Sequence, residues 1–193
     1  MSGERSLRAQ RPRRLFFALW PDEPARRSLA QAAGAAVRAS GGRAVPAENL
    51  HLTLAFLGGV PGARLGELTR LAREAAGTWR TPGIELQFGR LEYWAAVQIL
   101  CAPAQPRDFG VRELAENLLV RLAASGFAPD LKPFRPHVTV ARQVRQPPGV
   151  LAMAPQTWRT GEFVLIESRT EPAGPLYSVV ESYPLDGPKN LPG

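Results

Sequence analysis

The sequence predicts an α+β protein built from two related lobes, and three observations lead to this prediction. Both histidines of the chain open the same four-residue pattern, His-x-Thr-x, at positions 51–54 and 137–140. A short apolar run and then a helical segment precede each pattern along the chain. The spacing between the two histidines is a plausible length for one half of such a protein. No repeat of short period is visible.

The first half is predicted to contain two strands, each followed by a helix. The apolar run 15–20, stopped by Pro21, predicts a buried strand. Asp22 can cap a helix and Pro24 suits its first turn, so a helix is expected from there to about residue 41. A second strand follows at 50–57, ahead of two glycines. Leucines at helical spacing then predict an amphipathic helix over 63–79.

The second half repeats this order and adds strands at its end. We predict strands at 84–91 and 97–102, a helix over 108–125, and the second histidine strand at 137–143 after a proline-rich stretch. A loop is expected around Pro147 and Pro148. Two closing strands at 163–168 and 177–185 flank a turn at 172–175.

Length and composition predict one domain. With 45% hydrophobic residues, 193 residues can bury an ordinary core. We expect residues 1–12 to form a flexible basic tail, 13–186 a single bilobal domain, and 187–193 a short C-terminal tail. No apolar run approaches the roughly 20 residues of a membrane helix, and the arginine-rich start lacks the apolar stretch of a secretory signal. A cytoplasmic protein with no membrane partner is therefore expected, and separately we expect a monomer.

Cysteine content excludes two kinds of site, and the net charge bears on the kind of partner. The single cysteine, Cys101, excludes an internal disulfide and a cysteine-based zinc cluster, and its apolar surroundings predict a buried thiol. The formal charge of +7 favours a polyanionic partner such as nucleic acid. Arginine makes up 22 of the 24 basic residues, however, so a GC-rich coding bias accounts for the charge about equally well.

The His-x-Thr-x pattern places two functional groups on one face of a strand. Side chains alternate across a strand, so His51 shares a face with Thr53, and His137 with Thr139, while the intervening aliphatic residues point into packing. If the lobes are related by an approximate two-fold axis, the two pairs converge across a groove. One imidazole could then act as a base and the other as an acid in a displacement at phosphorus, with the threonine hydroxyls donating to the phosphate.

This arrangement requires no cofactor. Two histidines make a poor metal site unless folding adds carboxylates, so we expect no metal. Arg142, three residues after Thr139, could reach a phosphate. Phe56 and Phe134 flank the two motifs and could stack on a base, although packing in the core is the alternative for both. Tyr93 and Trp94 carry the same ambiguity.

The extended motifs resemble those of the two-histidine phosphoesterase superfamily, and within it the RNA 2′,3′-cyclic phosphodiesterases, also called 2′-5′ RNA ligases. Segment 14–18 is similar to the opening strand of that family, 46–58 to its first signature, and 133–142 to its second. Segment 167–169 with Tyr177 resembles its closing hairpin. The similarity runs through nearly the whole chain after the tail.

The resemblance implies a bilobal α+β fold, each lobe an antiparallel sheet with covering helices, and a positively charged cleft between them. It implies hydrolysis of a terminal 2′,3′-cyclic phosphate on RNA to a 2′-phosphate, without a metal, and the reverse joining of RNA ends. Carried over by position, His51 protonates the departing 3′ oxygen and His137 activates water. Thr53, Thr139 and Arg142 hold the phosphate.

Two alternatives remain open at this point. The His/Thr pairs could recognise an RNA end without turning it over, or the same chemistry could act on small cyclic nucleotides or 2′-5′-linked oligonucleotides. Unchanged cyclic phosphate after prolonged binding would favour the first, and comparison of mononucleotide with oligonucleotide rates would test the second.

Overall fold

The computed structural model describes residues 12–105, 109–130, 132–146, 151–172 and 174–186. The two predicted tails, apart from residue 12, and the prolines at 147 and 148 lie outside these ranges. The described residues form three α-helices: α1 (Glu23–Ala39), α2 (Leu65–Gly77) and α3 (Phe109–Ala124). They also form nine strands: β1 (Arg13–Leu19), β2 (Arg43–Ala44), β3 (Leu52–Val60), β4 (Ile84–Trp94), β5 (Ile99–Pro103), β6 (His137–Arg142), β7 (Leu151–Thr160), β8 (Glu162–Glu171) and β9 (Gly174–Pro184).

Eight of these strands form one antiparallel series in the order β7-β4-β5-β6-β3-β1-β8-β9, and β2 pairs with β6 beside it. The series divides into two halves of four strands at the β6–β3 contact. Leu52 opposite Val138 is the one register pair described there, whereas neighbouring strands within each half pair over three or more positions. The predicted α+β fold with two antiparallel lobes is confirmed.

The chain crosses between the lobes more than once. Strands β8 and β9 return from the C-terminal part of the sequence to extend the lobe that contains β1 and β3. Helix α1 connects β1 to β3 but packs against β6 and β7 of the other lobe, where the Trp158 indole N–H donates to the Ala25 carbonyl at 3.1 Å. Helix α3, which precedes β6, packs against β3. Helices α1 and α3 therefore cover strands of the opposite lobe and fix the two lobes against each other.

The histidine strands are held by their apolar faces. Leu52 and Val138 are fully buried and Leu54 and Val140 are 3% exposed, so alternate residues of both strands enter the core as predicted. Each such aliphatic side chain contributes roughly 1.5–3 kcal/mol by leaving water. The other face of both strands is thus presented from a rigid support.

The first helix begins as expected, but two strands were missed by sequence reasoning. The Asp22 carboxylate accepts a hydrogen bond from the Ala25 amide at 2.9 Å, and Pro24 lies in the first turn of α1. Strand β7 occupies residues for which no strand was predicted. Its sequence contains Pro155 and lacks apolar alternation, so its strand conformation comes from pairing with β4. Strand β2 is two residues long, too short for any periodicity.

Within the described ranges, no helix combines the length and the apolar character that crossing a bilayer would need.

Candidate active site

The site lies where the two lobes meet. Because Leu52 pairs with Val138 in antiparallel register, extending the register by one residue sets His51 level with Thr139 and Thr53 level with His137. Since Leu52 and Val138 face the core, these four polar side chains all lie on the opposite face. The antiparallel pairing of these two strands therefore brings the two patterns together.

A cleft of about 480 Å³ opens over this face. Both histidines, both threonines and Arg142 line it, so five of the seven predicted site residues meet in one place. The remaining walls come from β2, from the segment leading to His51, and from the β8–β9 hairpin: Arg43, Ala44, Val45, Pro46, Glu48, Asn49, Glu171, Gly174, Pro175, Leu176 and Tyr177.

Both imidazoles are oriented by the same hydrogen bond. His51 Nδ1 lies 2.7 Å from the Asn49 carbonyl oxygen, and His137 Nδ1 lies 2.6 Å from the Arg135 carbonyl oxygen. A carbonyl can only accept, so each Nδ1 must carry the proton and donate it. The remaining nitrogen, Nε2, is therefore the one that can take or give a proton in the cleft.

His51 sits among aromatic rings. The rings of Phe16, Trp20 and Tyr177 lie 4.9, 5.5 and 5.4 Å from the imidazole, measured between centroids, and Trp20 is nearly parallel to it. Burial is the main cause that lowers the pKa of His51, from 6.5 to about 4. The bond to the Asn49 carbonyl raises this pKa, and the positive charges of Arg142 and His137 lower it further.

His137 has a more open environment with arginines nearby. Its ring packs against Trp94, with 4.4 Å between the two ring centroids. The Arg135 guanidinium lies over the Trp94 ring, 4.1 Å from its centroid. Burial lowers the pKa of His137, the Arg135 carbonyl raises it, and the charges of Arg135 and Arg142 lower it. Both free imidazoles are therefore mainly neutral at pH 7.

The groups that could hold an anion are also in place. The hydroxyls of Thr53 and Thr139 make no hydrogen bond to another group of the described residues, so both can donate to a ligand. Arg142 ends β6 and acts electrostatically on both histidines. A phosphate between the imidazoles would face two hydroxyl donors and a guanidinium.

The structure does not bring Phe56 and Phe134 to the lining of this cleft. Phe56 packs against the small apolar cluster around Phe16, with the Arg14 guanidinium 5.0 Å from its ring centroid. Phe134 packs against the main core. Their position follows the core alternative noted from the sequence, and stacking on a base stays a prediction for them.

Sequence reasoning missed Arg43 and Trp20, and it did not assign Trp94 or Tyr177 to a histidine. Arg43 lines the cleft because β2 pairs with β6, a contact between segments about 100 positions apart that has no local signal. Trp20 lies just after β1 and Trp94 ends β4, so only the fold shows that each covers a different histidine. A tryptophan at a strand end was the available hint, and it was too general to use.

The described residues contain no group of three or more histidine, cysteine, aspartate or glutamate side chains that could hold a metal ion. Cys101 is fully buried, as predicted, and its thiol donates weakly to the Glu92 carbonyl at 3.5 Å. Burial raises the pKa of Cys101 to about 12, so this thiol is not a nucleophile at neutral pH.

A two-lobed antiparallel fold with one His-x-Thr-x strand from each lobe is the arrangement expected of a two-histidine phosphoesterase. Comparison with known families agrees: a model described as the 2′-5′ RNA ligase superfamily matches residues 20–171, and the chain belongs to this family. The family predicted from the two signatures is thereby confirmed.

Individual relatives support the same placement. An "RNA 2′,3′-cyclic phosphodiesterase" of Thermus thermophilus is 31% identical over 188 residues, which cover 90% of this chain and 91% of the relative. A protein of the same name from Escherichia coli is 33% identical over 143 residues, covering 72% and 79%. The crystal structure of E. coli LigT complexed with 3′-AMP superimposes with a TM-score of 0.80 at 28% identity, covering 90% and 98%. The prediction that the protein is an enzyme is confirmed.

Proposed function

We propose that the protein hydrolyses the terminal 2′,3′-cyclic phosphate of RNA to a 2′-phosphate, using the two histidines as acid and base without a metal. The observation that carries this proposal is the matched pair of imidazoles, each with Nδ1 bonded to a carbonyl and both lining one cleft. Relatives named RNA 2′,3′-cyclic phosphodiesterase support the choice of substrate.

The reaction is a displacement at phosphorus. Nε2 of His137 takes a proton from water as its oxygen bonds to phosphorus, and the bond from phosphorus to the 3′ oxygen breaks on the opposite side. Nε2–H of His51 gives its proton to that oxygen, which becomes the 3′ hydroxyl. Thr53, Thr139 and Arg142 donate to the non-bridging oxygens, where negative charge is held throughout. The phosphate remains on the 2′ oxygen.

The acid step depends on the bound substrate. With a pKa of about 4, His51 is a neutral imidazole in the free enzyme at pH 7, protonated on Nδ1 but not on Nε2. An anionic phosphate beside it favours the imidazolium and offsets the charge of Arg142, so substrate binding should raise the pKa of His51 towards neutrality. Under this proposal His51 takes up a proton when the substrate binds.

The same groups would run the reaction in reverse, joining an RNA end through a 2′-5′ linkage, because the proton transfers are reversible. One chain contains both histidine strands, so a monomer suffices for either direction.

The test is product analysis with a short RNA that ends in a 2′,3′-cyclic phosphate. We expect a 2′-phosphate product, an unchanged rate in EDTA, and a loss of about 10²- to 10⁴-fold in His51→Ala and in His137→Ala. Arg159→Ala, which removes a surface ion pair to Glu85 on β4, is the matched control and should keep full activity. Full activity in either histidine variant would refute the proposal, and tight binding without turnover by the native protein would favour an RNA-end binding module.

A further inference from the structure

The two-residue strand β2 places a second arginine in the cleft. Arg43 pairs directly with Arg142 of β6, and both side chains line the cleft. Residues opposite each other in an antiparallel pair have Cβ atoms about 5 Å apart, and like charges at such positions destabilise the pair. The folded protein therefore places two arginines side by side on paired strands at the edge of its candidate active site.

Among the described residues, no carboxylate forms an ion pair that would compensate this repulsion. Ten other arginines of the described residues lie within 4 Å of a carboxylate, but neither Arg43 nor Arg142 is ion-paired in the described ranges. Glu48 and Glu171 also line the cleft, yet neither approaches these guanidinium groups within salt-bridge distance. Two unpaired cations beside each other in a cleft are an arrangement that a polyanion stabilises.

Two glycines, Gly42 and Gly174, lie where β2 and Arg43 approach other parts of the chain closely. A Cβ atom on Gly42 would lie 3.0 Å from the Arg142 carbonyl oxygen, closer than most Cβ contacts, so glycine favours this approach of the two chain segments. On the other side, a Cβ atom on Gly174 would lie 4.0 Å from Nη1 of Arg43. The Arg43 guanidinium thus extends across the cleft towards the β8–β9 hairpin.

We propose that Arg43 binds the next phosphate of the RNA strand, on the 5′ side of the terminal nucleoside, while Arg142 serves the reacting phosphate. This inference rests on the proposed function and specifies its substrate as an oligonucleotide. Arg142 acts electrostatically on both histidines and Arg43 is not among the charges that act on either, which agrees with a position one step farther from the reacting phosphorus. Arg43 is then a specificity-determining residue.

The experiment compares two substrates, a 2′,3′-cyclic mononucleotide and a short RNA with the same terminal nucleotide. We expect Arg43→Ala to lower kcat/KM on the RNA by about tenfold, through KM, because a hydrogen bond to a charged group is lost. On the mononucleotide, kcat/KM should stay within about twofold. Arg43→Lys should retain part of the preference, because it keeps the charge but loses the forked donor geometry.

Arg145→Ala is the matched control. Arg145 is exposed, follows β6 closely and does not line the cleft, so its loss changes the net charge equally without touching the proposed contact. The slope of log(kcat/KM) against log salt for the RNA should fall by about 0.7 in Arg43→Ala, the value for one phosphate contact on a single strand. The melting temperature of Arg43→Ala should be unchanged or higher, since a repulsion is removed.

The outcomes separate this inference from the proposed function. Equal losses on both substrates would place Arg43 at the reacting phosphate, and no loss on the RNA would remove it from the substrate; either overturns the inference while turnover stands. If the native protein turns over neither substrate, the proposed function fails. Fluorescence anisotropy with an RNA ending in a 2′-phosphate then decides: weaker binding by Arg43→Ala than by Arg145→Ala supports the contact, and equal binding overturns it.

Discussion

The two histidines make the same hydrogen bond to the backbone but differ in the side chains that surround them. Each donates from Nδ1 to the carbonyl oxygen two residues earlier, and each packs against a tryptophan that carries an arginine on its ring. For His51 these partners are Trp20 and Arg26, with the guanidinium 5.3 Å from the ring centroid. The common features fix the ring orientation in both lobes.

The difference lies in enclosure. Two further rings, those of Phe16 and Tyr177, close around His51, whereas His137 has Trp94 as its described aromatic neighbour. Burial consequently sets the pKa of His51 at about 4, and His137 is also influenced by the charge of Arg135. The motif supplies two equivalent imidazoles, and the lobes around them make the imidazoles inequivalent. Because the pKa of free His51 is so low, its proposed role as the acid depends on the protonation that bound substrate favours.

The largest expected effect uses a substrate whose leaving atom needs no proton. With sulfur in place of the 3′ oxygen, the leaving thiolate is stable without an acid. We expect His51→Ala to recover most of its 10²- to 10⁴-fold loss on this substrate, and His137→Ala to recover little, because water must still be activated. Single-turnover rates on both substrates measure this. Recovery by His137→Ala instead would exchange the two roles.

A second prediction concerns stability and pH. The pKa of His51 is about 4 when folded and 6.5 without its surroundings, so between these pH values the unfolded chain binds a proton that the folded protein does not. Lowering the pH through this window should therefore reduce the free energy of unfolding, with His51 accounting for at most about 3 kcal/mol.

Urea unfolding at pH 7.5 and 4.5 checks this contribution. His51→Gln, which places a neutral polar side chain there, should show a smaller decrease between the two pH values than the native protein. His137→Gln should retain the share of this decrease that comes from His51. An identical decrease in His51→Gln and the native protein would contradict the enclosure of His51.

The alternation of residues along each strand predicted which side chains hold the histidine strands in the core, but not which residues surround the histidines. The alternation around 51–54 and 137–140 is a property of each strand alone, and it correctly placed Leu52 and Val138 in the core and the His/Thr faces together. The two-lobed fold followed from the repeated order of elements. These features depend on neighbours in sequence, which is why periodicity can show them.

The residues that sequence reasoning missed all depend on distant pairing. Arg43 enters the cleft through β2 and β6, and β7 is a strand because β4 lies beside it. The same limit applies to the aromatic residues: whether a ring near a motif covers a histidine, like Trp94, or packs in the core, like Phe134, is decided by how the lobes meet. Spacing along the chain carries no information about that choice.

The smallest expected effect compares the two tryptophans. Trp20→Leu removes the ring stacked on His51 and admits water, so the pKa of His51 should rise from about 4 towards 6.5. Trp94→Leu should raise the pKa of His137 while leaving that of His51 in place. NMR titration of the two imidazoles follows both values in each variant, and each variant is the control for the other. An equal shift of both histidines in either variant would show that one shared field, and not separate enclosure, sets their protonation.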